Sequence, residues 1–567
     1  MPNNDPLRAA EAALTAPGAP FEVVRAEDGS PLYADGPRTL REFVEATWAY
    51  GDRPFLVAES GTYTYGEFFA AACALARRFV EEYGLVPGDR AVIAMRNHPE
   101  WQVAFWAAQL AGLVAVPLNG WWTGAEFAYA LDDCAPGVLL VDGERLPQVE
   151  PWLIGRKARE RRPRVVVFHG DAGQLGGGRG AYEAYEGIRG ADPLLGPPDV
   201  DVRAEDDATI IYTSGTTGRP KGAVATHLAQ AGAATHPRFH AALAALARGE
   251  VPGQGPAPVS LMTFPFFHVA AFTAVYAAMA AGGSLVLMRK WDAGRALALI
   301  REHHVTYYAG VPTTALQLLD AAEAAGDGLE SLAMLNTGGA AAPAGLVGRL
   351  TARHGERIEP RNGYGLTETS GGVLANFGAA YRADPGSVGR PAPAVEVRIA
   401  GPDGQALAEG EVGELWLRGQ SLVRGYWNDP DATSRAFTDG GWFRTGDLAT
   451  VRDDGRVGIV DRIKDMVIRG GENVYCVEVE SVLHDHPEVL DAAVLGVPHP
   501  VLGEEVAAVV QLRAGAVAGA EELRAHVGRS LAAFKVPAHV LVREGPLPRN
   551  ATGKVLKREL RGEMGER

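Results

Sequence analysis

The chain has 567 residues, with 54 lysines and arginines against 69 aspartates and glutamates, which gives a formal net charge of −15. A chain of this length exceeds what one hydrophobic core usually spans, so two or more domains are expected. The apolar fraction of 47% and the charged fraction of 22% are typical of a globular protein and exclude disorder as an overall description. The acidic balance argues against a nucleic-acid binder and against attachment to anionic lipid by bulk charge.

Short Val/Ile/Leu runs alternate with alanine-rich stretches through most of the chain. The pattern predicts a strand at 90–95 before a helix around 100–111, and a strand at 284–288 before a helix at 293–303. Repeated alternation of this kind predicts α/β layers with mostly parallel sheets.

After about Asp461 the pattern changes. Strands are predicted at 492–496, 506–512 and 538–543, separated by helices near 479–484 and 520–530. These elements are sufficient for a compact α+β domain of about a hundred residues, a size that can fold alone.

Two stretches without charge, 101–122 and 269–288, approach the length of a membrane span. The first contains Pro117 and several polar residues, and Gly282-Gly283 interrupts the second, so each is predicted to be a buried helix followed by a buried strand. The first residues lack the basic and apolar regions of a secretory signal. The three cysteines, far apart, fit a reducing cytosol, so we expect a cytoplasmic protein without a membrane span.

The first segment with a chemical pattern is TSGTTGRPKG at 213–222, directly after an apolar run. Backbone N–H groups of a glycine-rich turn, together with hydroxyl side chains, form an anion site, and Lys221 can neutralise phosphate charge. The segment does not match the GxxxxGK[ST] pattern. A flexible linker is the weaker interpretation, because a lysine and many hydroxyl groups follow a buried strand.

Two further segments could contact a nucleotide. In NGYGLTET at 362–369, Tyr364 can lie flat against a planar ligand, while Thr367 and Glu368 offer a phosphate-binding hydroxyl and a hard oxygen ligand for Mg²⁺. In WFRTGD at 442–447, Asp447 can accept hydrogen bonds from ribose hydroxyls. Each segment alone is equally typical of an ordinary turn.

The last two segments are DRIKDMVIRGGENVY at 461–475 and PRNATGKVLKREL at 548–560. Lys554 stands at the start of a basic helix near the C-terminus. A lone lysine there is usually solvated, and that interpretation is kept for Lys557, Arg558 and Arg561.

Taken together, the five segments resemble, in order and spacing, the adenylate-forming superfamily of acyl-CoA synthetases, nonribosomal peptide synthetase adenylation domains and luciferase-like enzymes. The resemblance spans about 40–560 and is greatest to an acyl-CoA synthetase. It implies a large N-terminal α/β domain of layered sheets and helices, 1–463, and a small mobile C-terminal α+β domain, 464–567, that carries a catalytic lysine.

The resemblance also implies site residues. The β- and γ-phosphates of ATP would be held by Thr213, Ser214, Gly215, Thr216, Thr217, Gly218 and Lys221. Gly338, Gly339 and Ala340 would line the adenine and acyl pockets. Tyr364 would stack on adenine, Thr367 would contact the α-phosphate, and Glu368 would bind Mg²⁺.

The remaining implied roles belong to the second half of the chain. Asp447 and Arg462 would hold the ribose, and Lys554 would bridge the carboxylate and the α-phosphate. Lys464 occupies the hinge position, and the loop with Gly470 and Gly471 would border the channel for the pantetheine arm of CoA.

The implied reaction uses ATP, Mg²⁺ and CoA. A carboxylate placed in line with the α-phosphate displaces pyrophosphate, and a thiolate then attacks the acyl-adenylate. The sequence contains no GxSxG and no cysteine in a motif, so a covalent enzyme nucleophile is not expected.

The segment PFFH at 265–268 matches the family's acyl tunnel. Amino-acid-activating relatives usually carry an aspartate where this chain has His268, which favours an acid without an α-amine; His268 could equally be a packed aromatic-cluster residue. Val269, Phe272 and Gly310 belong to an apolar wall of mostly small groups. Such a wall fits a medium- or long-chain fatty acid or an aryl acid, although small residues can also reflect close backbone packing.

Alternatives to a CoA ligase are an enzyme that passes the acyl group to a carrier-protein thiol or an amine, and an idle ligand-binding relative. The presence of Glu368, Asp447 and Lys554 argues against the idle relative. The lack of a carrier domain after residue 567 modestly favours free CoA. A homodimer is compatible with the sequence, which determines neither the oligomeric state nor the acid.

Four histidines form close pairs, His236 with His240 and His484 with His486. Pro237 is expected to interrupt the first pair, and the i,i+2 spacing separates the second pair on a helix. Surface histidines are therefore predicted, and Mg²⁺ bound with ATP is the only metal expected.

Overall fold

The computed structural model describes residues 6–155, 162–170, 182–185, 191–192, 194–213, 219–340, 342, 344–550 and 553–565. In these residues the helices are α1 Pro6–Thr15, α2 Leu40–Thr47, α3 Tyr65–Arg77, α4 Pro99–Leu110, α5 Gly124–Cys134, α6 Leu146–Gly155, α7 His227–Ala247, α8 Val269–Ala280, α9 Ala293–Glu302, α10 Pro312–Ala324, α11 Ala344–His354, α12 Gly378–Ala383, α13 Pro430–Ala436, α14 Cys476–His484, α15 Ala520–Ser530 and α16 Lys557–Gly565. Short 3₁₀ turns occur at Trp48–Tyr50, Thr367–Thr369 and Ala533–Lys535, and a π turn occurs at Arg78–Glu82.

The strands are β1 Val23–Arg25, β2 Pro31–Tyr33, β3 Pro54–Ala58, β4 Gly61–Thr64, β5 Arg90–Ala94, β6 Val114–Pro117, β7 Val138–Asp142, β8 Arg164–Phe168, β9 Tyr182–Ala184, β10 Asp207–Thr213, β11 Lys221–Thr226, β12 Val259–Met262, β13 Ser284–Leu287, β14 Tyr307–Gly310, β15 Met334–Gly338, β16 Glu359–Leu366, β17 Gly371–Phe377, β18 Ser387–Pro391, β19 Val395–Ala400, β20 Gly413–Gly419, β21 Gly425–Tyr426, β22 Phe443–Val451, β23 Val457–Arg462, β24 Val467–Arg469, β25 Glu472–Val474, β26 Val489–His499, β27 Gly503–Leu512 and β28 His539–Arg543.

Two large sheets build the N-terminal part of the chain. One has the order β21-β11-β10-β6-β5-β7-β8-β9, and the other has the order β19-β20-β22-β23-β18-β17-β16-β15-β14-β12-β13-β3-β4. Strands β6, β5, β7 and β8 pair in parallel, as do β3, β13, β12, β14, β15 and β16. The α/β architecture predicted from the alternation of strands and helices is therefore confirmed.

The main core lies between these sheets, around helices α3, α4 and α8, whose buried side chains form one apolar cluster. Local signals set the helix starts: Thr64 with Glu67 and Thr123 with Glu126 form capping boxes, and Pro99 opens α4. The two charge-free stretches fold as predicted, α4 followed by β6 and α8 followed by β13. Among the helices of the described residues, none combines the length and apolar character needed to cross a membrane.

The C-terminal part is a separate α+β unit, as predicted. Its sheet has the order β25-β24-β27-β26, and β28 pairs in parallel with β27. Helices α14 and α15 contribute Val479, Leu483, Leu523 and Val527 to its own apolar core. This unit has the buried cluster that an independently folding domain needs.

The prediction of surface histidines is wrong for His236 and His486. Helix α7 runs through Pro237, and His236 is fully buried within it, where its Nδ1 lies 3.0 Å from the Tyr33 hydroxyl. Most residues of α7 are buried, and we attribute its continuity to tertiary packing that offsets the hydrogen bond lost at the proline. His486 is also buried, with its ring against that of His526.

Candidate active site

The two ends of the proposed phosphate loop are brought together by an antiparallel strand pair. Thr213 at the end of β10 lies opposite Lys221 at the start of β11. Ser214, Gly215, Thr216, Thr217 and Gly218 lie outside the described residues. The pairing fixes Thr213 and Lys221, the two described ends of this segment, within one sheet.

Tyr426 connects Lys221 to Glu368. The Lys221 amine lies 5.3 Å from the centre of the Tyr426 ring, and the Tyr426 hydroxyl donates a 2.7 Å hydrogen bond to Glu368 Oε1. Strand β21 pairs with β11, which sets Tyr426 opposite Ala223. The carboxylate of Glu368 is therefore held in one orientation near a cation, beside the hydroxyl of Thr367 on the same 3₁₀ turn.

Tyr426 was not identified from the sequence. Its partners are Lys221 and Glu368, and the strand pairing that joins them connects distant parts of the chain. The only local signal is the glycine–aromatic pair Gly425-Tyr426, which resembles Gly363-Tyr364 in composition.

Tyr364, Asp447 and Arg462 form a second linked group. The Tyr364 hydroxyl donates a 2.6 Å hydrogen bond to Asp447 Oδ2, and Arg462 Nε lies 3.3 Å from Asp447 Oδ1. Asp447 and Arg462 face each other in the β22–β23 pair. Burial and the nearby Asp447 raise the pKa of the Tyr364 hydroxyl well above its ordinary value, so it stays a hydrogen-bond donor.

Lys554 lies on a tight turn that packs against the N-terminal domain. The Lys554 backbone N–H donates to Asn550 Oδ1 at 2.9 Å, and the Asn550 N–H donates to the Lys554 carbonyl at 2.9 Å. Gly553 has a φ of +81°, and a Cβ atom at this position would lie 3.1 Å from Val311 Cγ2. Val311 is also the side chain nearest to the Cβ position of Gly339. The turn that carries Lys554 and the Gly338-Gly339 turn therefore both lie next to the Val311 side chain.

The charges around Lys554 are mostly positive. Burial, followed by the charges of Arg462 and Lys464, lowers the pKa of the Lys554 amine to about 7, while Asp465 and Asp447 oppose the shift. Two nearby cations and partial burial disfavour the charged form of this amine. An anionic ligand at the site would therefore stabilise the Lys554 ammonium group.

His268 is the N-cap residue of α8, and its Nδ1 accepts a 3.2 Å hydrogen bond from the Ala270 N–H. Burial, with a further contribution from Lys554, lowers the pKa of His268 to about 4. The imidazole is therefore neutral at physiological pH, and the influence of Lys554 places it at the same site.

The other residues proposed for the acyl pocket form part of the core. Val269 and Phe272 are buried, and the Phe272 ring lies 5.2 Å from Phe105 and 5.9 Å from Tyr276. At Gly310, a Cβ atom would meet the hydroxyl groups of Tyr308, Thr263 and Thr314 within 2.8 Å. This glycine is therefore required by close packing, which is the alternative that the sequence left open.

The predicted hinge residue and the predicted glycine loop are exposed. Lys464 is exposed just after β23. Gly470 and Gly471, with φ values of +60° and +89°, form the exposed turn between β24 and β25. The Gly470 N–H donates to the Leu502 carbonyl at 2.8 Å, which fixes this turn to the small domain.

The chain on either side of Lys464, the predicted hinge residue, is held by hydrogen bonds. The buried Asp461 carboxylate accepts from the Cys476 backbone N–H, and Cys476 Sγ lies 3.0 Å from the Asp465 carbonyl. The interpretation of Lys557 as a solvated residue is wrong, because its amine lies 2.8 Å from Glu480 Oε1 and is mostly buried. These contacts tie α16 to α14 inside the small domain.

Comparison with known proteins agrees with this arrangement. The family model described as AMP-binding enzyme matches residues 43–427, and the model of the AMP-binding enzyme C-terminal domain matches residues 478–554. Together with the two-part α/β fold, these matches show that the chain belongs to the AMP-binding, adenylate-forming enzyme family.

The relatives define the class within that family. The chain is 35% identical over 503 residues to a feruloyl-CoA synthase of Amycolatopsis sp, covering 88% of this chain and 94% of that protein. It is 34% identical to a long-chain fatty-acid CoA ligase of Mycobacterium tuberculosis, covering 87% of this chain and 92% of the relative. An ATP-bound RpMatB-BxBclM chimera superimposes with a TM-score of 0.78 at 30% identity, covering 93% of this chain and 98% of the chimera. The chain is an AMP-forming acid–thiol ligase of the acyl-CoA synthetase type, which activates a carboxylic acid with ATP and forms a CoA thioester.

Proposed function

We propose that this acyl-CoA synthetase acts on an apolar acid without an α-amino group, either an aryl acid or a medium- to long-chain fatty acid. Two observations support the proposal. His268 is neutral and offers no fixed anion for an ammonium group, and the wall behind it is built from buried aromatic rings such as Phe272 and Trp101. The relatives named for a feruloyl and a long-chain fatty substrate span the same range of acids.

We further propose that the arrangement described above is the one that forms the acyl-adenylate. The observation that carries this proposal is the packing of the Lys554 turn against Val311, next to Gly339 and within the electrostatic reach of Asp447 and His268. In this position the Lys554 ammonium group can contact both a substrate carboxylate and an α-phosphate oxygen. Cancelling these negative charges allows the two anions to approach for displacement of pyrophosphate.

The nucleotide would be held by the two linked groups of side chains. Asp447, oriented by Tyr364 and Arg462, would accept hydrogen bonds from the ribose hydroxyls, and the Tyr364 ring would lie along the adenine with Gly338, Gly339 and Ala340. Thr367 would donate to the α-phosphate. The loop from Thr213 to Gly218, with Lys221, would hold the β- and γ-phosphates.

The oxygen donors at Glu368 fit a magnesium ion, because its carboxylate is held by Tyr426 beside the Thr367 hydroxyl and near the phosphate loop. Bound Mg²⁺ would supply charge neutralisation on the phosphates of ATP. Lys221 and Tyr426 would keep the Glu368 carboxylate in place for that ion.

Thioester formation would follow a rotation of the small domain. We place the boundary at 463/464, with Lys464 as the hinge, because this residue is exposed and lies two residues after β23, the last strand in chain order of the large sheet. Rotation would withdraw Lys554 and bring Gly470 and Gly471 over the site, where their lack of side chains would let the pantetheine arm approach the backbone. The acyl-adenylate carbonyl would then be attacked by the CoA thiolate, with AMP as the leaving group.

Two finer expectations belong to this proposal. A cytoplasmic location is supported by three buried cysteines with free thiols, Cys73, Cys134 and Cys476. Homodimer formation is an expectation from the sequence alone, and sedimentation analysis of the purified enzyme would determine it.

The roles are tested by Lys554→Ala with the two half-reactions measured separately. Pyrophosphate exchange driven by the acid should be abolished, while CoA thioester formation from supplied acyl-adenylate should persist. The matched control is Arg558→Ala, which removes an exposed cation from the helix that follows the Lys554 turn and should leave both half-reactions intact. Equal loss of both half-reactions in Lys554→Ala would contradict the proposed division of roles.

A further inference from the structure

A cluster of two histidines and a glutamate lies at one edge of the eight-stranded sheet. His98 follows β5 and occupies the N-cap position of α4, Glu100 lies in the first turn of α4, and His169 directly follows β8. Strands β5, β7 and β8 are parallel neighbours, so their carboxyl ends meet at the same edge. The fold thereby gathers three residues that are separated along the chain.

The contacts within the cluster are close. His169 Nε2 lies 2.7 Å from Glu100 Oε2, and the His98 and His169 rings stack with their centres 4.1 Å apart. One donor atom from each of the three residues lies within 4.8 Å of the other two. Around a tetrahedral zinc-type ion with bonds of about 2.1 Å, donor atoms lie roughly 3.4 Å apart, a difference that small side-chain rotations can cover.

The burial of Glu100 calls for a positive charge. Glu100 is only 5% exposed, and burying a carboxylate is costly unless a cation or several hydrogen-bond donors compensate it. Asp142, at the end of β7, places a second buried carboxylate 3.9 Å from His98 Nε2. Arg145 neutralises Asp142 through a 3.1 Å contact, which leaves Glu100 with His169 as its nearest partner of opposite charge.

The histidines are suited to binding a metal ion. The His98 ring is buried, with 11% of its side chain exposed, and the His169 ring is held by its 2.7 Å contact with Glu100. Both rings are therefore fixed close together, and each offers a nitrogen that can bind the same ion. The His169 side chain is 37% exposed and provides a route from solvent to the two buried ligands.

We propose that His98, Glu100 and His169 form a binding site for a divalent transition metal ion of the zinc class, with a fourth position open to water. Two imidazoles and one carboxylate are a donor set that favours Zn²⁺ over Mg²⁺, which prefers oxygen ligands. The site is separate from the Glu368 carboxylate, which lies on the 3₁₀ turn between β16 and β17.

The metal site would support the wall of the acyl pocket. The Asn97 side chain, next to His98, donates to the Phe264 carbonyl and accepts from the Phe266 N–H, each at 2.9 Å. Trp101, on the same turn of α4 as Glu100, places its ring 5.2 Å from that of Phe266. An ion that fixes the start of α4 would therefore steady the segment that leads to His268.

The test uses the full-length enzyme, treated with a chelator and then titrated with Zn²⁺ by calorimetry in excess Mg²⁺ and without ATP. One Zn²⁺ per chain is expected, together with a higher unfolding temperature. Co²⁺ serves as a spectroscopic probe and should give visible absorption typical of a four-coordinate nitrogen–oxygen site. Absence of Zn²⁺ binding by the wild-type enzyme under these conditions would overturn the proposal.

His169→Ala is the main variant, because the half-exposed ring can be removed with the smallest risk to folding. We expect at least about tenfold weaker Zn²⁺ binding and loss of the Co²⁺ absorption. The matched control is His539→Ala, since His539 forms an exposed pair with Glu505 at 3.3 Å in the small domain. Equal Zn²⁺ affinity in the two variants would overturn the site. If His169→Ala does not fold, Glu100→Gln removes the anionic ligand while keeping its shape, and unchanged Zn²⁺ binding by that variant would have the same consequence.

Discussion

Gly553→Ala tests whether the packing of the lysine turn belongs to the adenylate-forming state. The new methyl group would lie 3.1 Å from Val311 Cγ2, closer than ordinary van der Waals contact. Overpacking of this kind typically costs about 1–3 kcal/mol, and the left-handed φ of +81° adds about 1 kcal/mol for alanine. The φ cost applies in every orientation of the small domain, whereas the contact with Val311 exists only while the Lys554 turn packs there.

The backbone cost and the contact cost therefore have different effects on the two half-reactions. The contact term predicts a loss of about five- to a hundredfold in acid-dependent pyrophosphate exchange. Thioester formation from supplied acyl-adenylate should change far less. Both rates would be measured at saturating ATP or saturating acyl-adenylate, together with the unfolding temperature.

Two controls sharpen the result. Gly515→Ala introduces an alanine at a φ of +82° in the same domain, with no atom within 4 Å of its Cβ, so it reproduces the strain without the contact. The double variant Gly553→Ala/Val311→Ala should recover part of the lost pyrophosphate exchange relative to Gly553→Ala, because the shorter side chain removes the clash. Equal losses in the two half-reactions, or no difference between Gly553→Ala and Gly515→Ala, would refute the reasoning.

Two further predictions concern the charged groups. Tyr426→Phe removes the hydrogen bond to Glu368 Oε1, worth about 1 kcal/mol, and should raise the Mg²⁺ concentration needed for half-maximal adenylation roughly fivefold. The control variant Tyr83→Phe removes a tyrosine–glutamate contact elsewhere and should leave the Mg²⁺ requirement unchanged. An equal Mg²⁺ requirement in the two variants would contradict the role of Tyr426. Because burial and neighbouring cations lower the pKa of Lys554 to about 7, kcat/KM for adenylation should fall about tenfold per pH unit above that value as the ammonium loses its proton. Lys464→Gln removes one of those cations and should move this fall to higher pH, so an unchanged pH profile would reject the electrostatic account.

Local sequence patterns predicted the elements and the order of the domains well. Strands β5 and β13 and helices α4 and α9 all begin within one residue of their predicted positions. Capping boxes, proline at helix starts and runs of β-branched residues act over a few residues, so they are readable without knowledge of the fold. The α+β character of the C-terminal part followed from the same signals.

Contacts between distant segments were not predictable. The bond between Tyr426 and Glu368 depends on the pairing of β21 with β11, and the contact between Gly553 and Val311 depends on how the two domains pack. His236 was expected at the surface because a proline follows it, yet the burial of α7 outweighs that local rule. The ion pair of Lys557 is equally unreadable from the local sequence, because its partner Glu480 lies on another helix.

The central claim, that this enzyme joins an apolar carboxylic acid to CoA, is tested most directly by analysis of its products. The purified enzyme would be incubated with ATP, Mg²⁺, CoA and a panel of aryl acids, fatty acids and α-amino acids, and the products identified by mass spectrometry. We predict acyl-CoA from aryl or fatty acids, formed in equal amounts with AMP and pyrophosphate, and little product from the amino acids. Formation of AMP without any acyl-CoA, or a preference for amino acids, would contradict the account.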